Sequence, residues 1–386
     1  MSRRRPTDVH VARLALHDFR SYADVDVEVG AGPVAFVGAN GQGKTNLVEA
    51  IDYLARLDSH RVSSDTPLVR AGAERAIVRA EVVRQDRTAL IEVEINPGRS
   101  NRARVNRSDL PRVRDLLGTV RTVLFSPEDL ALVKGDPSDR RRFLDDHLLM
   151  QPVRQAGVKA DYERTLRQRN TLLKSARGRQ VDMSTLEVWD ERLASLGGEI
   201  TARRLVVLDE IAPHLQQRHA GVAASAAEAR REVTASYVAK TGVPHAQHPR
   251  DPEGCRDLLL TSIEERRREE LDRGVTLVGP HRDDVELRIG ELPAKGYASH
   301  GESWSLALAL RLASFDHLRA PERGADDPIL ILDDVFAELD TGRRDHLASM
   351  AEHVEQVLVT AAVDGDVPPG LRGRRFRVAD GTVRDD

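Results

Sequence analysis

The feature that most restricts this chain is a strand, a loop and a helix in immediate succession, "PVAFVGANGQGKTNLVEAIDYL" (33–54). "PVAFVG" (33–38) is a short unbroken apolar run, the pattern of a parallel strand buried on both faces. "GANGQGKT" (38–45) satisfies G-x-x-x-x-G-K-[ST] in full, and Leu47, Ile51, Leu54 and Leu57 then recur as one stripe of a helix. Glycines at these positions let backbone N–H groups curl around phosphates, and the helix N-terminus adds the positive end of its dipole. Lys44 is expected to reach the terminal phosphates as a point charge, and the Thr45 hydroxyl to ligate Mg2+. Gly38, Ala39, Asn40, Gly41, Gln42, Gly43, Lys44, Thr45 and Asn46 are therefore the candidate phosphate contacts.

Such a loop needs a carboxylate on a neighbouring strand. "DPILILDDVFAELD" (327–340) supplies one: four apolar residues, Ile329 to Leu332, run into Asp333 and Asp334. Asp333, at the strand's end, is expected to hold Mg2+ through water. Asp334, one residue on, is placed to orient or deprotonate an attacking water.

The rest of the chain reads as an α/β body interrupted by helices. "VDVEV" (25–29) alternates as a half-exposed strand, and "AIVRAEVVR" (76–84), "TALIEVEI" (88–95) and "RARVN" (102–106) read as an antiparallel meander turned by "NPGRSN". "TVLFS" (122–126) is another buried strand. Helix formers and charges dominate 127–220, "EVTASYVA" (232–239) returns as a strand, and a charged helix covers about 254–273. "VTLVG" (275–279) reads as a strand re-entering the body. The expected division is 1–126 with the phosphate loop and meander, 127–274 as an inserted helical arm built on a hairpin of long helices, and 275–386 as the second half of the body.

Charged residues make up 31% of the chain with a formal net of −4, so total charge does not announce a nucleic-acid binder. Distribution is more informative. Between Asn96 and Arg114 six arginines face one Asp109, and six further basic residues lie between Arg164 and Arg179 with no acid among them. If DNA binds, Arg102, Arg104 and Arg107 are the expected phosphate contacts, carrying no sequence information. No apolar stretch approaches the roughly 20 residues of a membrane span, no hydrophobic segment follows "MSRRRP", and the single Cys255 suits a reducing, cytoplasmic setting.

Several strings are more specific than any general nucleotide motif: "LHDFRSY" (16–22), "VLFSPEDLALVKGDPSDRRRFLD" (123–145), "YERTLRQRNTLLK" (162–174), "VGPHRDD" (278–284) and "LDDVFAELD" (332–340). On these the chain resembles, nearly end to end, the RecF family of bacterial recombination-repair proteins, in the SMC-like branch of ABC-type ATPases. The resemblance implies an α/β P-loop ABC-type ATPase head of mixed sheets and helices with an inserted helical arm. It also implies ATP and Mg2+ as cofactors, homodimerisation driven by ATP, binding of duplex and gapped DNA, recombination mediator proteins as partners, and no membrane association. A weak, switch-like ATPase is expected, since Asp334 stands where ABC ATPases usually carry glutamate. Ser299 and Gly301, in "GYASHGESWSLALALRL" (296–312), fall where such ATPases carry the signature loop that completes the opposite subunit's ATP site. Asp340 matches the loop that touches the partner subunit.

The chain also departs from the family pattern. His300, Glu302, Ser303 and Trp304 replace the usual glutamines and arginine of the signature loop, and no histidine occupies 357–363, where many ABC proteins carry a switch histidine. His281 is open between a site role and a structural one, and Glu128 has no assigned role. Two other readings share the phosphate loop. A transporter's nucleotide-binding subunit would lack so large a helical insertion, and a monomeric small-molecule kinase would leave Ser299 and "AELD" idle.

Overall fold

The computed structural model describes residues 9–85, 87–150, 156–176, 183–223, 230–320, 326–371 and 373–386. The arginines of "MSRRRP", together with Arg177 and Arg179 of the second basic run, lie outside the described residues. The chain divides into two compact units, one of Met1–Asp129, Gly221–Ala224 and Leu308–Asp386, the other of Leu130–Ala220 and Ser225–Ala307.

The first unit holds two six-stranded sheets. One is antiparallel and contains β1 (Val9–Phe19), β2 (Tyr22–Glu28), β4 (Ala76–Arg84), β5 (Arg87–Ile95), β6 (Arg102–Val105) and β7 (Ser108–Asp109), in the order β2-β1-β4-β5-β6-β7. The other contains β3 (Gly32–Val37), β8 (Thr122–Phe125), β12 (Ile329–Asp333), β13 (Gln356–Ala361), β14 (Arg374–Ala379) and β15 (Thr382–Asp385), in the order β15-β14-β3-β13-β12-β8. Every pair from β14 to β8 is parallel, and β15 closes the edge antiparallel. The unbroken apolar runs at 33–38 and 122–126 thus become parallel strands, while the alternating meander becomes antiparallel.

Helix α1 (Lys44–Arg56) contacts strands of both sheets and is buried on every side, from Leu47 to Arg56. A single apolar stripe does not anticipate this. Its polar face is buried because each acid has a partner. Glu49, with none of its surface exposed, accepts from Arg20 (2.5 and 2.9 Å), Ser59 (2.5 Å) and Arg61 (3.2 Å). Asp52 accepts from Arg56 (2.8 Å) and Thr122 (2.7 Å). Leu57, read as part of the stripe, instead caps the helix in the left-handed region at φ 56°, its N–H on the carbonyl of Tyr53. A fully buried Gln356 ties the sheets together. Beside the bulge between Val11 and Arg13 its amide accepts from Val11 N–H and donates to Val11 C=O, both at 2.9 Å, so these backbone groups of β1 are satisfied by a side chain of β13.

The second unit is mainly helical. Its elements are α2 (Leu130–Lys134), α3 (Pro137–Leu149), α4 (Ala156–Ala176), most of α5 (Met183–Val222), α6 (Pro252–Arg273), the single turn α7 (Ala294–Tyr297) and a small sheet, β9 (Val233–Val238), β10 (Asp284–Ile289) and β11 (Leu292–Pro293), in the order β11-β10-β9. Three long helices pack together here. Tyr162 of α4, Leu193 and Ile200 of α5, and Leu259 and Ile263 of α6 share one core with Val278. Gly198 permits the close crossing of α5 and α6, since a Cβ there would lie 2.6 Å from the backbone N of Arg256.

Residues 275–279 are not a strand. Their backbone donors go to side chains of the helices: Thr276 N–H to Asn170 (2.8 Å) and Leu277 N–H to Glu270 (2.6 Å). The boundary expected at 274 also shifts, because 275–307 belong to the second unit rather than to the body that holds the phosphate loop. The reason lies in β10, which pairs with β9 and receives a two-pronged ion pair from Arg140 of α3 to Asp284 (2.7 and 3.0 Å). The last helices are α8 (His300–Leu318) and α9 (Thr341–Ala351).

Candidate functional site

The phosphate loop leaves the C-terminal end of β3, flanked in the sheet by β13 and β14. Gly41 and Gly43 adopt φ 83° and 106°, the left-handed side that glycine occupies without penalty. At Gly43 space also forbids a side chain, for a Cβ would meet the Tyr22 hydroxyl at 2.8 Å and the Ser21 hydroxyl at 2.9 Å. Lys44 is buried over its own loop, Nζ donating to Ala39 C=O (3.2 Å) and to Asn40 Oδ1 (3.4 Å). It is therefore held above the cradle formed by residues 38–45.

Across the sheet, β12 delivers Asp333 to that cradle. The Thr45 hydroxyl donates to Asp333 Oδ1 at 3.0 Å, joining residues 288 apart in sequence. Thr360 of β13, in register beside Asp333, donates to the same oxygen at 2.5 Å. Burial raises the Asp333 carboxyl above its ordinary range, opposed by the hydrogen bonds from Thr360 and Thr45. The Thr45 hydroxyl and Asp333 carboxylate are hard oxygen donors within contact of each other, a donor set that suits Mg2+. The positive-φ glycines and the lysine suit a polyphosphate. Asp334, partly exposed, sits at φ 52° and its N–H donates to Thr360 Oγ1 at 2.9 Å.

Sequence reasoning passed over several residues around this cradle. Ser21 and Tyr22, inside the quoted string "LHDFRSY", brace it: Tyr22 OH donates to Gly43 C=O (3.1 Å) and Asn46 Nδ2 to Ser21 Oγ (3.0 Å). Arg61 donates to Asn46 Oδ1 at 2.9 Å as well as to Glu49. Gln42 accepts from the Asp380 N–H (2.6 Å) in the β14–β15 turn. Thr360 had no signal beyond its position on a buried strand.

In the second unit, Ser299 and Glu302 form a reciprocal cap on α8. Ser299 N–H donates to Glu302 Oε2 (2.8 Å) and Glu302 N–H to Ser299 Oγ (3.2 Å). The backbone hydrogen bond from Ser299 holds the Glu302 carboxyl below its ordinary range, and Arg230 lies 3.5 Å from its other oxygen. Glu302 therefore turns back on its own helix end, and Trp304 is buried with its Nε1–H on His300 (3.1 Å). Gly301 C=O accepts from Ser305 Oγ at 2.9 Å.

The remaining candidates fall into structural and exposed settings. Asp340 caps α9, accepting from Arg343 N–H at 3.0 Å. His281 hydrogen-bonds Tyr162 OH (2.7 Å), and burial lowers its pKa to about 4, a structural setting in the second unit. Glu128 is exposed. Its neighbour Asp129 is the engaged carboxylate, accepting from Ser126 N–H (3.1 Å) and Arg311 (2.6 Å).

The meander arginines are not equivalent. Arg102 and Arg107 are exposed, Arg107 at φ 69°. Arg104 is tied to Asp109 (2.6 Å) and to Glu92 of β5 (2.9 Å), so a phosphate would compete with two carboxylates for it.

A family model described as the RecF/RecN/SMC N terminal domain matches residues 10–367. The DNA replication and repair protein RecF of Nocardioides sp. is 54% identical over 97% of this chain and 99% of its own length. That of Streptomyces avermitilis is 56% identical with the same coverage. A solved structure of the recombination mediator protein RecF with ATP, in the RecFOR pathway, superposes with a TM-score of 0.90 at 27% identity, covering 100% of both chains. The match over most of the chain, the identity to these relatives and the shared ATPase-head fold of mixed sheets and helices show that the chain belongs to the RecF family.

Proposed function

We propose that the chain is an ATP-switched DNA-binding protein of recombinational repair and replication maintenance, dimerising when ATP and Mg2+ occupy the phosphate loop. Residues 38–46 would bind the phosphates, Lys44 the terminal ones, and Thr45 and Asp333 would hold Mg2+, which shields phosphate charge. Asp334 would orient water for a slow hydrolysis that ends the bound state. Ser299 and Gly301, at the end of α8, would complete the ATP site of a second copy, with Asp340 at the same contact. DNA phosphates would be held by exposed arginines of the meander, Arg102 and Arg107 before Arg104. The dimer would then help mediator proteins load recombinase at duplex and gapped junctions, a reading supported by the RecFOR setting of the solved relative.

One observation carries the nucleotide part of this reading: the Thr45 hydroxyl stands 3.0 Å from Asp333 at the mouth of the glycine loop. The test is sedimentation of the full chain with ATP and Mg2+, with and without duplex DNA, beside Ser299→Arg. The expected result is a monomer that dimerises with ATP, gains DNA affinity as it does so, and fails to dimerise in the variant although the variant still binds ATP. A wild type that hydrolyses ATP yet stays monomeric throughout overturns the switch and leaves Ser299 as a helix cap.

A further inference from the structure

Four groups, at the ends of β12 and β13 and in the first turn of α1, form one hydrogen-bonded line. Asp334 N–H donates to Thr360 Oγ1 at 2.9 Å, Thr360 Oγ1 donates to Asp333 Oδ1 at 2.5 Å, and Thr45 Oγ1 reaches the same oxygen at 3.0 Å. Thr360 is 1% exposed and faces Asp333 in register, so its hydroxyl has nowhere else to turn. With its oxygen accepting from Asp334, its one proton goes to Asp333. Both hydroxyls converge on Oδ1, leaving Oδ2 of Asp333 as the oxygen turned away from the two threonines. Of the two donors, Thr45 is itself a candidate metal ligand and Thr360 is not.

The same hydroxyl bears on Asp334. A non-glycine residue at φ 52° occupies a sparsely populated region and keeps it only where its surroundings hold it there. The bond from Asp334 N–H to Thr360 is such a hold.

We infer that Thr360 is a positioning residue for both carboxylates: it fixes which oxygen Asp333 presents and pins the backbone that aims Asp334. Metal retention and hydrolysis are thereby coupled through one buried hydroxyl on a strand that contributes no ligand. The inference rests on the reading of Asp333 and Asp334 given under Proposed function.

The experiment compares wild type, Thr360→Val, Thr360→Ala and Thr360→Ser as full chains. A fluorescent N-methylanthraniloyl ATP is titrated at a series of Mg2+ concentrations, and ATP turnover is measured separately. Removing a buried hydrogen bond to a carboxylate is expected to raise the Mg2+ concentration for half-maximal binding about tenfold, and to lower turnover about tenfold to a hundredfold. Affinity at saturating Mg2+ should stay within about twofold, because the loop 38–45 is untouched, and Thr360→Ser should restore both quantities to within about threefold. Thr360→Ala serves where the buried valine prevents folding. Mg2+ dependence and turnover within about twofold of wild type in Thr360→Val, or in Thr360→Ala where valine does not fold, overturn the inference. So does a serine variant as impaired as alanine. If wild type fails to bind the probe, or binds it without regard to Mg2+, it is the ATP and Mg2+ reading that fails.

Discussion

Replacing Arg169 with methionine separates two accounts of what holds the helical unit together. Arg169 is fully buried on α4 and bonds Asp190 of α5 (2.7 Å), Glu270 of α6 (2.7 Å) and Thr276 Oγ1 (2.7 Å). Its partners are not equally dependent on it. Asp190 retains Arg267 at 3.0 Å on its other oxygen. Glu270, also fully buried, retains only the Leu277 N–H at 2.6 Å among the described residues. Breaking a buried pair by removing one member costs about 3–5 kcal/mol, most of it the penalty on the charge left behind. The cost of Arg169→Met should therefore reside mainly in Glu270. A second change, Glu270→Gln, removes the orphaned charge and should return about 1–3 kcal/mol. Hydrogen exchange read by mass spectrometry on peptides covering 156–176 and 252–273 measures this locally, in a chain whose two units need not unfold together. The reasoning fails if Arg169→Met changes opening free energies by less than about 1 kcal/mol, or if the double variant is no more stable than the single one.

Two further predictions concern pH and DNA. Burial holds folded His281 at about 4 against an ordinary value of 6.5, so between these values the unfolded chain binds more protons than the folded one. Stability is complete above pH 6.5 and should fall by about 2 kcal/mol by pH 5, a loss absent from His281→Gln; parallel urea midpoints in the two proteins at pH 7 and 5 would contradict it. Because Arg104 is already paired to Glu92 and Asp109, changing Arg102 and Arg107 together to Glu should weaken duplex binding more than Arg104→Glu. The double change should also lower the salt slope by roughly 0.9 for each phosphate that is no longer neutralised. Fluorescence anisotropy across a salt series measures both, and a larger effect at Arg104 would reverse the ranking.

The phosphate loop was legible because its chemistry is local. A strand, glycines and a lysine within residues 33–45 dictate one geometry, and Asp333 could be matched to them by its own strand-end pattern. The strands at 33–38, 76–84, 88–95 and 122–126 were legible for a related reason, since apolar run length and alternation report burial directly. What escaped depended on partners remote in sequence. "VTLVG" has the composition of a strand, but Asn170 and Glu270 take its backbone donors, and neither is visible from within the pentapeptide. Thr360 looked like one more β-branched strand residue until register placed it beside Asp333. The direction of Glu302 was likewise not legible from the sequence; the cap on Ser299 supplies it.

Composition does not say which charges are buried. Glu49, Asp52, Arg169, Asp190, Arg204 and Glu270 are each no more than 4% exposed, and Arg56 beside Asp52 only 7%. Desolvating an ion costs several kcal/mol, so these pairs are poor evidence for stability, and well-packed apolar residues would serve that purpose as well or better. What they add is direction. An apolar contact under α1 would tolerate a helix rotated or shifted by a fraction of a turn. The Glu49 carboxylate accepts from Arg20, Ser59 and Arg61 at once, and Arg61 in turn reaches Asn46, two residues beyond Lys44. That chain of bonds tolerates little displacement of the helix whose first residues are Lys44 and Thr45. The buried charges around α1 thus lie where position matters most, beneath the loop whose Thr45 hydroxyl meets Asp333 across the sheet.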